Sequence, residues 1–230
     1  MITLCFHKVG PIEEEGRSLN IEPANLKRLI KWLKNREGQF VQAWQLADPW
    51  PKKGICLTFD DCYLSTLTHG LEVLREEAVT GSFYAVSNLV GKTSAWDATL
   101  ARPLADWDLL RNAQAEGFEI GCHTASHVRL GDLDLEQQRK EILVCSEKMR
   151  QEGLDPKSFC LPYGSYNGQT AGAIDACGYK VGLALNKRSA TESDNKLLLP
   201  RVVVACSDSP ASLAYKLWVK PKLYRLLGRA

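Results

Sequence analysis

Strand-like and helix-like stretches alternate along the whole chain, and reactive residues repeatedly follow the strand-like ones. Apolar runs at 2–6, 55–59, 81–86, 118–122, 158–161, 179–184 and 198–204 read as strands. Between them, 23–35, 64–77, 105–116, 134–152, 167–176 and 210–227 read as helices. Pro23 opens the first helix, Asp134 precedes the fourth, and Gly117, Gly153 and Gly178 follow theirs, the usual starts and stops. Such alternation predicts an α/β fold with a mainly parallel sheet. His7 follows the first strand, Asp60 and Asp61 the second, His123 and His127 the fourth, and Pro162–Gly164 the fifth. In a (β/α) barrel the carboxyl ends of the strands converge on one face, so these distant groups share one pocket. A doubly wound open sheet gathers them less tightly. About seven strands predict a distorted or incomplete (β/α) barrel.

With 230 residues, 45% of them hydrophobic, the chain can bury a full core as one catalytic domain over 1–230. It has neither an internal repeat nor a low-complexity tract. A formal charge of +2, with no long basic run interleaved with aromatics, argues against nucleic acid as a partner. The start Met1-Ile-Thr-Leu-Cys-Phe-His7 lacks the features of a secretory signal, and no later segment is apolar for long enough to span a bilayer. Eight cysteines without a C-x-x-C pair read as reduced thiols. Together these features predict a soluble, cytoplasmic protein. The basic amphipathic segment 210–230 could rest on the inner face of a membrane, with Lys216, Lys220, Lys222, Arg225 and Arg229 among Tyr215, Trp218, Leu223, Tyr224 and Leu227. A helix packed on the barrel with a basic outer side, interrupted at Pro221, also explains it.

One carboxylate and two imidazoles around a zinc-like ion leave a coordination position open, as in a catalytic site. Asp60 and Asp61 close the run Gly54–Phe59, and two of the four histidines, His123 and His127, close the run Gly117–Cys122. These residues can bind a divalent metal, while the second carboxylate removes a proton from water. Either aspartate can fill either role. The pattern predicts a metal-dependent hydrolase.

Leu57-Thr-Phe-Asp-Asp-Cys-Tyr63, His123-Thr-Ala-Ser-His127 and Phe159-Cys-Leu-Pro-Tyr-Gly164 resemble, in order, three leading motifs of the polysaccharide deacetylase family. The likeness runs from residue 1 to about 204. It implies a distorted (β/α) barrel that removes N-acetyl or related acyl groups from amino sugars with a divalent metal, zinc first and cobalt, nickel or iron as alternatives. By motif, Asp60 is the general base, Asp61, His123 and His127 the metal ligands, and the Tyr163 backbone N–H an oxyanion donor, with Thr58 in support. The substrate that the resemblance implies is an N-acetylated saccharide, free or lipid-linked.

The sequence departs from the family pattern twice. No histidine follows His127, so the late histidine that serves many relatives as acid is missing. His7 resembles the early histidine of a branch that includes poly-N-acetylglucosamine deacetylases, and the resemblance makes it the acid. Cys160 stands where many relatives carry an arginine that orients the catalytic carboxylate, and Arg201 is the candidate replacement. Trp96 and Trp107 are candidates for stacking on sugar rings, whereas His69 reads as a helix residue of no catalytic use. Gly91-Lys-Thr93 is not a phosphate loop, because Val86 stands where its first glycine is needed. Three other readings use the same residues: a deformylase of a lipid-linked amino sugar, a carbohydrate-binding relative without turnover, and a closed structural metal site.

Overall fold

The computed structural model describes residues 1–36 and 38–226, without the side chains of 98, 99 and 224–226. Parallel strands form one curled sheet: β1 (Ile2–Phe6), β5 (Gly54–Phe59), β6 (Ser82–Ala85), β7 (Glu119–Cys122), β8 (Phe159–Cys160), β9 (Gly182–Leu183) and β10 (Val202–Val203). The order is β10-β1-β5-β6-β7-β8-β9, and β4 (Gln39–Val41) pairs with the first half of β5. Residues 199–203 bring the two ends of the sheet together. Leu199 bridges to Leu183 of β9, and Val202 and Val203 pair with Leu4 and Cys5 of β1. This is the distorted (β/α) barrel expected from the alternation.

All six residues of β5 are buried, as a parallel strand covered on both faces requires. Period-two alternation sorts the side chains into two layers. Leu4, Phe6, Leu57, Phe59, Phe83, Ile120 and Phe159 face the surrounding helices in the main apolar core. In-register Phe6, Phe59 and Phe83 stack across β1, β5 and β6 at centroid distances of 5.1 and 4.7 Å. Opposite residues turn into the barrel, which is unusually polar: Thr3, Thr58, Ser82, Tyr84, Glu119, Ser158 and Arg201 are all buried. Gly121 is needed there, since a Cβ would sit 2.4 Å from the Tyr84 ring, which fills the interior and shares a 2.7 Å hydrogen bond with Ser158.

The covering helices are α2 (Pro23–Lys34), α3 (Leu71–Glu76), α4 (Trp107–Ala115), α5 (Leu135–Gln151), α6 (Thr170–Ala176) and α7 (Pro210–Ala214). A wide helical turn, Thr66–Gly70, leads into α3, so the expected 64–77 helix is split between two geometries. His69 sits in that turn. Short elements escape the sequence reading: α1 (Ile12–Glu15), β4, and the ribbon of β2 (Lys8–Val9) with β3 (Asn20–Ile21).

Pro221 does not interrupt the last helical segment as expected. The chain continues from α7 through a second wide turn, Tyr215–Val219, into α8 (Lys220–Leu226). The Lys220 N–H reaches the Tyr215 carbonyl, and Pro221 then falls at the start of α8, where a missing N–H costs little. Leu227 of the expected helix and Arg229 of the basic segment lie outside the described residues. Among the described residues no helix is long and apolar enough to cross a membrane.

Candidate active site

The carboxyl ends of β1, β5, β7 and β8 deliver the sequence-predicted residues to one face. Along β5 the alternation that turns Cys56 and Thr58 inward also turns Asp60 inward. Asp60 is 2% exposed and gripped by Arg201, which is fully buried. Arg201 Nη1 donates to Asp60 Oδ1 at 2.6 Å and Nη2 to Oδ2 at 2.8 Å, a bidentate pair. Its remaining donors reach Thr58 Oγ1 at 2.8 Å, the Ala184 carbonyl at 3.2 Å and Cys160 Sγ at 3.0 Å. The cation absent at position 160 therefore arrives from the segment ahead of β10, with the Cys160 thiol beside it. Burial alone would favour the neutral Asp60 acid, but the charge and hydrogen bonds of Arg201 outweigh it and hold the carboxyl at about 2.

Asp61 leaves the strand in a left-handed conformation, φ 72°, and its carboxylate meets the two histidines. His123, fully inside, and His127, also buried, place their Nε2 atoms 3.3 and 3.1 Å from Asp61 Oδ1. His123 Nδ1 lies 2.9 Å from the Cys160 carbonyl, which can only accept, so this nitrogen carries a proton, and in the neutral ring Nε2 keeps its lone pair. Two lone-pair atoms at such separation need a positive centre between them. Asp61 Oδ1 correspondingly has no hydrogen-bond partner, although it is buried. Burial opposes ionisation of Asp61, yet hydrogen bonds and charge from the two histidines, when their Nε2 atoms carry protons, hold its carboxyl far below the usual carboxylate range.

Among the described residues, three clusters bring metal-ligating atoms within 4.8 Å of one another: Asp61-His123-His127, Asp60-His123-Cys160 and Cys5-His7-Asp60. The last two share Asp60, whose charge Arg201 already neutralises. The donor set of Asp61, His123 and His127 fits a zinc-class ion best, because its carboxylate lacks another cation and its nitrogens converge.

His7 continues the inward side of β1, two residues beyond Cys5. Its metal-ligating nitrogen lies within 4.8 Å of Asp60 and Cys5. The Cys5 thiol bridges the two, 3.4 Å from Asp60 Oδ2 and 3.9 Å from His7 Nδ1, while Cys160 Sγ stands 3.4 Å from Asp60 Oδ1. Sequence reasoning missed Cys5, although the same alternation that turns His7 inward would have found it.

Tyr163 sits in a left-handed turn after Pro162, φ 58° and ψ 6°. Its ring lies 4.7 Å from that of His127, with the Arg129 guanidinium over the Tyr163 ring at 4.0 Å. Trp96 stacks on His127 at 3.8 Å, so it stands at the site. Trp107 does not. It packs on α4 against the outer core, beneath Lys148, where it can touch no substrate in this pocket. Five non-glycine residues here have positive φ: Asp61, Cys62, Thr124, His127 and Tyr163. Each such residue costs about 1–3 kcal/mol, and their concentration marks a site whose geometry overrides local preference.

The family model for polysaccharide deacetylases matches residues 47–182, and the chain belongs to that family. It is a hydrolase of the carbohydrate deacetylase class. The chain is 20% identical over 204 residues to a poly-beta-1,6-N-acetyl-D-glucosamine N-deacetylase of Staphylococcus epidermidis, covering 84% of this chain and 70% of that protein. Its fold matches that of IcaB from Ammonifex degensii with a TM-score of 0.78 at 22% identity, over 94% of this chain and 95% of that one. The Streptococcus pyogenes deacetylase PplD, solved in complex with acetate, also gives 0.78, at 18% identity over 94% and 97%.

Proposed function

We propose that this chain removes N-acetyl groups from amino-sugar units of a glycan or glycolipid. The observation that carries this reading is the pairing of an arginine-held carboxylate, Asp60, with the converging Asp61-His123-His127 set beside it. Asp61, His123 and His127 would hold a divalent ion, zinc or alternatively cobalt, nickel or iron, which would supply Lewis acidity for the amide carbonyl and for the attacking water. Asp60, aimed by Arg201, takes the proton from that water. The Tyr163 backbone N–H steadies the negative charge that develops on the carbonyl oxygen. His7 then protonates the departing nitrogen, since an amine leaves poorly as its anion. Trp96 and Tyr163, flanking His127, form an aromatic wall suited to the apolar side of a pyranose ring.

Acetate release from N-acetylglucosamine oligomers, measured after chelation and after restoring zinc, tests the reading. Metal-dependent acetate supports it. Formate release from a formylated amino sugar without acetate release, or sugar binding without any acyl release, overturns it. His7→Ala is expected to lower turnover about 100-fold on the sugar amide, and by much less on an anilide, whose nitrogen leaves more readily. An equal defect on both substrates removes His7 from the acid role. Trp96→Ala is expected to raise KM about tenfold, equivalent to ~1.4 kcal/mol of lost contact, with bound metal unchanged on elemental analysis.

The same proposal places the enzyme in the cytoplasm, acting on a lipid-linked saccharide at a membrane. All eight cysteines are unbridged and six are buried, which suits a reducing compartment. The basic segment at the carboxyl end suits contact with a bilayer.

A further inference from the structure

We infer that the outer side of the carboxyl-terminal helix, together with the end of α2, is a docking face for the headgroup layer of an anionic bilayer. This gives the proposed enzyme a place of work, and its test does not depend on which acyl group is removed. The helical run from Pro210 to Leu226 has two apolar sides. Leu213 and Leu217 are buried against the barrel core. On the other side Tyr215, Val219 and Leu223, spaced i, i+4 and i+8, are 47%, 52% and 43% exposed, and Trp218 beside them is 39% exposed. A helix that only covers a barrel has no use for the second side, because exposed positions normally carry polar residues.

Charge selects the occupant. The stretch Ser209–Ala230 contains five basic residues and no acidic one, although the chain as a whole is balanced at +2; one of the five, Lys216, is paired with Asp208 just ahead of the stretch. Lys222 is exposed next to Leu223. Trp218 meets Trp32 of α2 at 5.7 Å, and the exposed Arg36 guanidinium lies 4.7 Å from the Trp32 ring and 5.2 Å from that of Trp218. Indole rings, a guanidinium and lysines bordering a narrow apolar stripe match the boundary between lipid headgroups and acyl chains, where aromatic rings and long basic side chains both find suitable surroundings. A protein partner would need acidic residues of its own against this face, whereas an anionic leaflet presents that charge everywhere. The run also springs from the carboxyl end of β10, the strand beside β1, which carries His7.

Co-sedimentation of the full chain with vesicles tests the inference, comparing phosphatidylcholine alone with phosphatidylcholine mixed with phosphatidylglycerol. Binding is expected only to the mixed vesicles and should weaken as salt rises. Lys222→Ala should weaken it about fivefold, and Val219→Glu with Leu223→Glu at least about tenfold. Melting temperature and acetate release from a short soluble oligomer should stay at wild-type values in all these variants. Equal binding to both vesicle types, no binding to either, or full binding by the double glutamate variant overturns the inference. So does a concentration-dependent dimer that the double variant dissociates, which would assign this face to a second copy of the chain. Loss of acetate release in the wild type would instead count against the proposed reaction and leave the vesicle result standing.

Discussion

Asp60→Asn is expected to lower turnover roughly 100- to 10,000-fold, the range for losing a positioned general base, while bound metal measured by elemental analysis stays at the wild-type level. The two readouts separate because of the geometry. Asp60 is committed to Arg201 through both carboxylate oxygens, and the three converging donors belong to Asp61, His123 and His127. An amide keeps the shape of the carboxylate but cannot accept a proton from water, and its NH2 group faces a guanidinium donor. A stability loss near the lower end of about 3–5 kcal/mol should accompany the change, because the buried Arg201 charge loses its counter-ion while the asparagine carbonyl still accepts from the guanidinium. His123→Ala is the complementary case, in which metal content and turnover fall together. If Asp60→Asn loses its metal as well, Asp60 is a ligand, and the cluster of Asp60, His123 and Cys160 becomes the better description of the centre.

What was legible in the sequence follows from how a barrel is wired. A parallel strand must be apolar on both faces, so the runs at 2–6 and 55–59 announced themselves, and anything reactive at their carboxyl ends had to meet on one face. Hence His7, Asp60, Asp61, His123 and His127 could be grouped before any coordinates. Arg201 was legible as a charge in an otherwise apolar strand, Leu198-Leu-Pro-Arg-Val202, but its partner was not, since only closure of the barrel beside β1 brings it to β5. The left-handed turns at Asp61, His127 and Tyr163 were illegible for a different reason. Local preference disfavours positive φ for these residues, and the surrounding packing imposes it. Trp96 and Trp107 show the same limit. Both are tryptophans between the predicted strand at 81–86 and the body of the predicted helix at 105–116, and only tertiary placement separates the one stacked on His127 from the one packed under Lys148. At Pro221 a sound local rule gave the wrong outcome, because the wide turn before it removes the need for the N–H that proline lacks.

Arg201→Met should be the most destabilising single change in the site, by about 3–5 kcal/mol in urea or thermal unfolding. Arg201 is fully buried and Asp60 nearly so, which makes the desolvation of both charges tolerable only while they face each other. Methionine matches much of the side chain's length but leaves the Asp60 carboxylate with two thiols as its donors, Cys5 and Cys160, each at 3.4 Å. Thiols are weak donors and cannot replace a guanidinium. The variant should therefore bind a proton at Asp60 far more readily than the wild type, whose carboxyl is held at about 2, and its catalytic activity should fall with it. Arg201→Lys should recover only part of either property, because one ammonium cannot span both carboxylate oxygens while also holding Thr58 and the Ala184 carbonyl. The double variant Asp60→Asn/Arg201→Met decides whether charge or packing is at work. Removing both charges should restore much of the stability that Arg201→Met loses, since no uncompensated ion is left inside the barrel. If the two changes simply add, the pair is not coupled, and Arg201 holds the barrel closed by filling space rather than by aiming the base.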